Sequence, residues 1–154
     1  MATLLKNLYS KEFIEKLSNG LQNSYKDFKK DEFKKAIFTN NWESLELKQR
    51  MRHISKTLYQ FLPFSYKEQI EILIEVKQDF KALEAIIFQD FVEIFGLDDF
   101  EVSMKALEVF TIDSSSEFAI RQFILKYEDK TIKRMKLWAK SQNEHIRRLA
   151  SEGS

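Results

Sequence analysis

WAKSQNEHIRRLASEGS, residues Trp138 to Ser154, reads as the end of one helix, a capped restart near Asn143, and a short double-arginine helix that stops at Gly153. The stretch SSSEFAIRQFI, residues Ser114 to Ile124, has the same layout. Ile120, Arg121 and Phe123 stand 26 residues before Ile146, Arg147 and Leu149, and each set follows a helix ending in a large aromatic, Phe110 or Trp138. A polar cap followed by the same apolar–arginine–apolar set at one offset describes two successive α-α units. Each such unit hides its apolar face only against its neighbours, so stacked pairs imply an α-solenoid with a long surface suited to an extended partner. The expected fold class is all-α, an α-α superhelix of antiparallel helix pairs, more HEAT-like than ankyrin-like because regular Gly and Pro punctuation is missing. Periodicity alone leaves a compact bundle open.

Composition agrees. The chain has 154 residues, 44% hydrophobic, with fourteen Phe, three Gly and one Pro, which is ample core for one domain and too little turn chemistry for an all-β protein. A single domain over residues 1–154, ending before its last repeats are complete, is the expected organisation. Cysteine is absent, which removes disulfides, thiolate zinc sites and cysteine nucleophiles. No apolar run reaches the roughly 20 residues needed to span a bilayer, and MATLLKNLYSKEF lacks a secretory h-region. A soluble, cytoplasmic protein is expected.

The net charge of +1 conceals a pattern. Residues 1–64 carry 12 Lys and Arg against 7 Asp and Glu, residues 65–108 carry 4 against 11, and residues 121–154 carry 9 against 4. A basic front and a basic tail flanking an acidic middle suit a protein that offers positive surface to a polyanion. Ordinary solvated helix faces would give the same counts.

Helix signals run along the whole chain. Phe13, Leu17 and Leu21 follow Ser10 at helical spacing, and Phe33, Ile37 and Phe38 make a second apolar face. Ser44 is expected to open a long helix carrying Leu47, Met51, Ile54, Leu58 and Phe61, which Pro63 halts. Ser65 and Glu68 have capping-box spacing. Phe88, Phe91, Val92 and Phe95 mark a helix closed by Gly96, expected as a left-handed cap. Further helices are expected over Asp99–Phe110, Ser115–Tyr127 and Asp129–Lys140. Trp42 and Trp138 read as core. His53 and His145 have no partner at metal spacing and read as surface or capping residues.

Phosphate-loop, dinucleotide-fold, zincin and nucleophile-elbow motifs are all missing. What the residues do carry is a resemblance. SSSEFAIRQFI and WAKSQNEHIRRLASEG, with FQDFVEIFGLDDFEVSMKALEVFT (Phe88 to Thr111) upstream, resemble the DNA alkylation repair superfamily of HEAT-like glycosylases, nearer its AlkC than its AlkD branch. Residues 1–80 match only in helical character. The resemblance implies an N-terminal portion of an enzyme that holds duplex DNA and excises cationic, N-alkylated bases of the 3-methyladenine type, with no cofactor and no metal. It also implies roles. Glu117 and Glu152 fall on the family's functional acidic positions, and Arg121, Arg147 and Arg148 would bind DNA phosphates. Gln122 departs from the pattern, standing where the family has Pro.

Each of these residues has a plainer reading. Glu117 is three residues after Ser114, the spacing of a capping box. Arg147 and Arg148 could serve to solvate a short helix. A non-catalytic HEAT-like module binding nucleic acid or an acidic protein is the alternative function. A solenoid that ends early leaves an apolar face uncovered, so the isolated chain is expected to dimerise through that end or to be poorly soluble. Sedimentation of the chain at high concentration tests this, a clean monomer being the adverse result.

Overall fold

The computed structural model describes residues 7–111, 117–141 and 143–152, without the side chains of Glu117, Phe118 and Glu152. Every regular element among the described residues is helical, as the composition requires. The chain divides into two compact units, Met1–Phe80 and Lys81–Ser154.

In the first unit, α1 (Lys11–Ser24) packs on α2 (Lys30–Ile37) and α4 (Tyr66–Lys77), and α2 packs on α3 (Leu47–Phe61). Helix α1 starts where the sequence places it, because the Phe13 N–H donates to Ser10 Oγ (3.2 Å) and satisfies one of the orphan donors of the first turn. Its stripe of Phe13, Ile14, Leu17 and Leu21 is buried, and so are Phe33 and Ile37 of α2, Ile54 and Leu58 of α3, and Ile70, Leu73 and Val76 of α4. Aromatic edges lock the layers: Phe28, Phe33 and Phe61 form one cluster, with Phe33 and Phe61 edge to face at 5.8 Å, and Phe13 meets Phe80 at 5.4 Å. Such pairs add about 0.5–1.5 kcal/mol each beyond the area they bury.

Two sequence expectations fail here. Ser44 does not open α3. It lies in a 3-10 turn, Trp42–Ser44, where its hydroxyl donates to the Asn41 carbonyl (2.7 Å). The helix begins at Leu47 after Glu46, whose N–H is held by Gln49 Oε1 (2.8 Å). Ser65 is the N-cap of α4 by backbone geometry but makes no side-chain capping bond, so the expected box with Glu68 is not formed. Other expectations hold. Pro63 follows the end of α3, and Trp42 is buried, with the Arg50 guanidinium 4.6 Å above its ring. His53 Nε2 lies 3.0 Å from both the Ala36 and Ile37 carbonyl oxygens, so this nitrogen carries the proton and caps the C-terminal end of α2.

The second unit opens with a 3-10 turn, Ala82–Ala85, where Ala82 takes a left-handed backbone (φ 55°). It then runs through α5 (Ile86–Phe95), α6 (Phe100–Phe110), α7 (Glu117–Lys126), α8 (Glu128–Trp138) and α9 (Glu144–Glu152). Helix α5 packs on α6 and α7, and α8 lies between α7 and α9, packing on both. The core holds Ile87, Phe88, Phe91 and Val92 of α5, Met104, Leu107 and Phe110 of α6, and Ile120 and Phe123 of α7. Met135 and Trp138 of α8 and Leu149 of α9 complete it. Asp99 caps α6 as its position suggests. Gly96 closes α5 but in a right-handed conformation (φ −101°), against the left-handed cap expected; its N–H reaches the Val92 carbonyl and its own carbonyl accepts the Ser103 hydroxyl at 2.7 Å. The bond from the Gly96 N–H finishes the helix without a left-handed residue.

Several polar groups tie helices and loops together through backbone carbonyls. Gln89 Nε2 donates to the Phe110 carbonyl (2.7 Å), Thr131 Oγ1 to the Phe123 carbonyl (3.0 Å) and the Tyr127 hydroxyl to the Leu97 carbonyl (2.6 Å). In the first unit, Glu15 of α1 meets Lys34 (2.7 Å) and Lys30 (2.9 Å) of α2. The Lys34 hydrogen bond, then that of Lys30, pulls the Glu15 carboxyl from its ordinary 4.5 down to about 2. A depressed carboxyl stabilises the fold above its unfolded pKa and loses that contribution as pH falls through the folded one. Glu15→Gln should therefore lower the urea midpoint at pH 7 by a small amount, with the gap to wild type narrowing below pH 4.5 and closing near pH 2. Paired urea titrations across that range check it.

Candidate nucleic-acid interface

Helix α9 is built so that its arginines face out. Asn143 Oδ1 accepts the N–H groups of His145 (2.9 Å) and Ile146 (3.3 Å), which starts the helix as the sequence predicts. Leu149 and Ala150 are then buried and Ile146 is half-buried, while Arg147 and Arg148 are exposed. The Arg147 guanidinium turns back to donate to the Ser141 carbonyl (2.8 Å), which fixes the side chain against the preceding loop. Helix α7 repeats the pattern: Ala119, Ile120 and Phe123 are buried and Arg121 is exposed. Gln122 lies inside α7, so the residue that stands in for Pro continues a helix there, with a backbone N–H that Pro would lack.

Helix α8 lies between those two helices and supplies further cations. Several are already engaged. Arg134 pairs with Glu101 (2.6 Å) and lies 3.8 Å from Glu108. Lys126, at the end of α7, is hydrogen-bonded to Asp98, which raises the lysine and lowers the aspartate from their ordinary values. Lys130 sits 5.7 Å from the ring centres of both Phe100 and Tyr127. Lys133, Lys136 and Lys140 are exposed. Lys133 and Lys136 are one turn apart on α8, and Lys140 stands just past its end, a lysine spacing legible in the sequence. Lys136 and Arg147 share a groove of about 520 Å³ with Ile124, Ile132, Met135 and Ala150.

The five residues singled out from the sequence thus lie on the two helices flanking α8. Arg121, Arg147 and Arg148 are exposed there. Glu117 is the first residue of α7 and Glu152 the last of α9; their side chains lie outside the described residues, as does Ser114 with its capping box. Each glutamate is one helical turn from an arginine, Glu117 before Arg121 and Glu152 after Arg148. Among the described residues no group of three or more His, Asp or Glu is arranged to hold a metal ion, and no helix is long and apolar enough to cross a membrane. His145 lies 3.9 Å from Glu144.

Helix pairs repeating an inner apolar face and an outer arginine define a helical-repeat protein with a cationic surface. No family model matches the chain. It superposes on the Pseudomonas fluorescens alkylpurine DNA glycosylase AlkC, solved bound to DNA containing an abasic site analog, with a TM-score of 0.90 and 32% identity over 97% of its length. It is also 45% identical over 150 residues to the uncharacterized protein YhaZ of Bacillus subtilis strain 168. The chain spans 42% of the length of each. The resemblance to the AlkC-like HEAT-repeat glycosylases is therefore structural as well as sequential: the chain has the AlkC helical-repeat fold, and the expected N-terminal portion fits that coverage.

Trp138 anchors this region from the core side. It is buried, and its indole N–H donates to Glu108, the carboxylate nearest Arg134 after Glu101. Trp138→Phe removes the donor to a charged acceptor and replaces the buried indole by a smaller ring, so a loss of at least about 1.5–3 kcal/mol in urea unfolding is expected.

Proposed function

We propose that this protein is a DNA repair glycosylase that hydrolyses the N-glycosidic bond of cationic, N-alkylated bases in duplex DNA, of the 3-methyladenine type, and that it works in the cytoplasm without a cofactor. The observation that carries this reading is the match to AlkC over nearly the whole chain at 32% identity. AlkC is an alkylpurine DNA glycosylase, and it was solved on DNA.

The chemistry such a reaction needs is modest. An alkylated, cationic base is already a good leaving group, so the protein has to stabilise an oxocarbenium-like sugar and position water. Carboxylates serve both purposes. We assign these roles to Glu117 and Glu152. Glu117 heads α7, where the partial positive charge of a helix N-terminus favours the ionised carboxylate that a cationic transition state requires. Glu152 ends α9, where the helix dipole opposes an anion at a cost of about 0.3–1 kcal/mol, an arrangement that local stability does not explain. Arg121, Arg147 and Arg148, exposed on the helices flanking α8, would hold phosphates and set the register of the duplex without choosing the base.

The test is release of free base from methylated duplex DNA, by this chain and by a version extended to the length of its relatives. Release by wild type and a fall of about 100-fold or more in Glu117→Gln and Glu152→Gln, with DNA affinity retained, is the expected result. Full activity in both variants would remove the two glutamates from the site. No release by either length, with salt-sensitive DNA binding intact, would replace the enzyme by a non-catalytic DNA-binding module.

A further inference from the structure

Exposed apolar side chains in the second unit gather on α7 and α8, where Leu125 is 80% exposed, Leu137 65% and Ile132 39%. Ile132 also lines the groove of about 520 Å³, with Ile124, Met135, Ala139 and Ala150 as the rest of its apolar lining. A lone apolar residue on a surface needs no explanation, whereas a contiguous apolar strip bordered by charge is where partners dock. The charges on this groove are Lys136 and Arg147, and no carboxylate lines it. Arg147 is already turned back to the Ser141 carbonyl (2.8 Å). Lys136 is exposed, and among the described residues its ammonium has no hydrogen-bond or ion-pair partner.

A helix laid in this groove has to bring an apolar side chain for the lining and, about one turn from it, a carboxylate for Lys136. Helix α8 itself carries both. Glu128, Ile132 and Lys136 stand at i, i+4 and i+8, on one face of the helix. Glu128 is exposed, and among the described residues its carboxylate is as unpaired as the Lys136 ammonium. The acid is four residues before Ile132 and the lysine four after, so each lies about 6 Å from it along the axis. Turned end for end, the same face presents a lysine where the acid stood. A second α8, set antiparallel across a two-fold axis at Ile132, therefore brings each Glu128 opposite the other copy's Lys136, with the two Ile132 side chains between them. One patch that complements itself is what an isologous interface requires.

We infer that this face of α8 is the contact between two copies of the chain, packed antiparallel about Ile132, with Ile124 and Met135 completing the apolar centre and a Glu128–Lys136 pair at each end. This gives the expected self-association a surface and a register, and it does not depend on the glycosylase reading. The apolar centre supplies the affinity, because exposed ion pairs contribute little, and the charges set the direction of the partner helix. A phosphate backbone would give Ile124, Ile132 and Met135 nothing to bury against. An unrelated acidic helix would satisfy Lys136 but leave Glu128 unmatched, whereas the two-fold arrangement uses both.

The experiment is sedimentation equilibrium over a range of protein concentrations for wild type, Ile132→Asp, Glu128→Lys, Lys136→Glu and the double variant Glu128→Lys/Lys136→Glu, each checked for folding by thermal melting. Wild type should dimerise and Ile132→Asp should be monomeric. Each single charge reversal should weaken the dimer by about tenfold or more, because the two-fold axis repeats every change, and the double variant should recover the wild-type constant with the charges exchanged. A monomeric wild type overturns the inference, as does a dimer that persists unchanged in folded Ile132→Asp. A double variant no tighter than its singles overturns it as well, since a dimer formed through another surface would not be rescued. A version extended to the length of its relatives should dimerise in the same way; if it stays monomeric, the groove is covered by that protein's own further helices and the inference falls.

Discussion

Everything in this molecule depends on each helix burying one apolar stripe against another helix. The described α-helices run from 8 to 15 residues, and helices of that length are marginal in water even with good propensity. Packing has to supply what the hydrogen-bonded turns do not. Phe supplies most of it: Phe28, Phe33 and Phe61 interlock in the first unit, and Phe88 with Phe110 and Phe100 with Phe123 and Tyr127 in the second. Rings meeting at tilted or edge-on angles fill the space between helices without a single methyl having to fit perfectly, which lets short elements of unequal length pack densely.

This inward demand sorts the charges. Any residue on the inner stripe must be apolar or tied, so Ser18, Thr57 and Thr131 donate to backbone carbonyls and Gln89 reaches across to α6. Residues bordering the stripe become cross-links, with Glu15 spanning two lysines and Arg134 reaching back to α6. The outermost positions carry the cations of α3, α8 and α9.

The repeat was legible at once, since Ile120, Arg121 and Phe123 and their counterparts Ile146, Arg147 and Leu149 have the same burial sense in the fold: the apolar members turn inward and the arginines outward. Capping was legible only where one residue acts alone. Ser10, Asp99 and Asn143 cap as their positions suggest. Ser65 makes no such bond, and Ser44 does not cap α3 because Gln49 takes the free N–H at its start and the Ser44 hydroxyl is drawn to Asn41. Gly96 departs from the expected left-handed cap because its N–H already reaches the Val92 carbonyl in a right-handed conformation.

By itself the sequence determined the all-α class, the helix order and the burial of both tryptophans, because amphipathic spacing is a local property that each segment carries alone. Its basic front and basic tail were equally plain as numbers. Which cations they leave for a partner was decided only in three dimensions. Lys30, Lys34, Lys126 and Arg134 are held by carboxylates 15 to 33 residues away along the chain, and nothing in a charge count separates them from the exposed Lys136. Ion pairing depends on distances of a few ångströms between side chains, and only packing of the helices sets those distances.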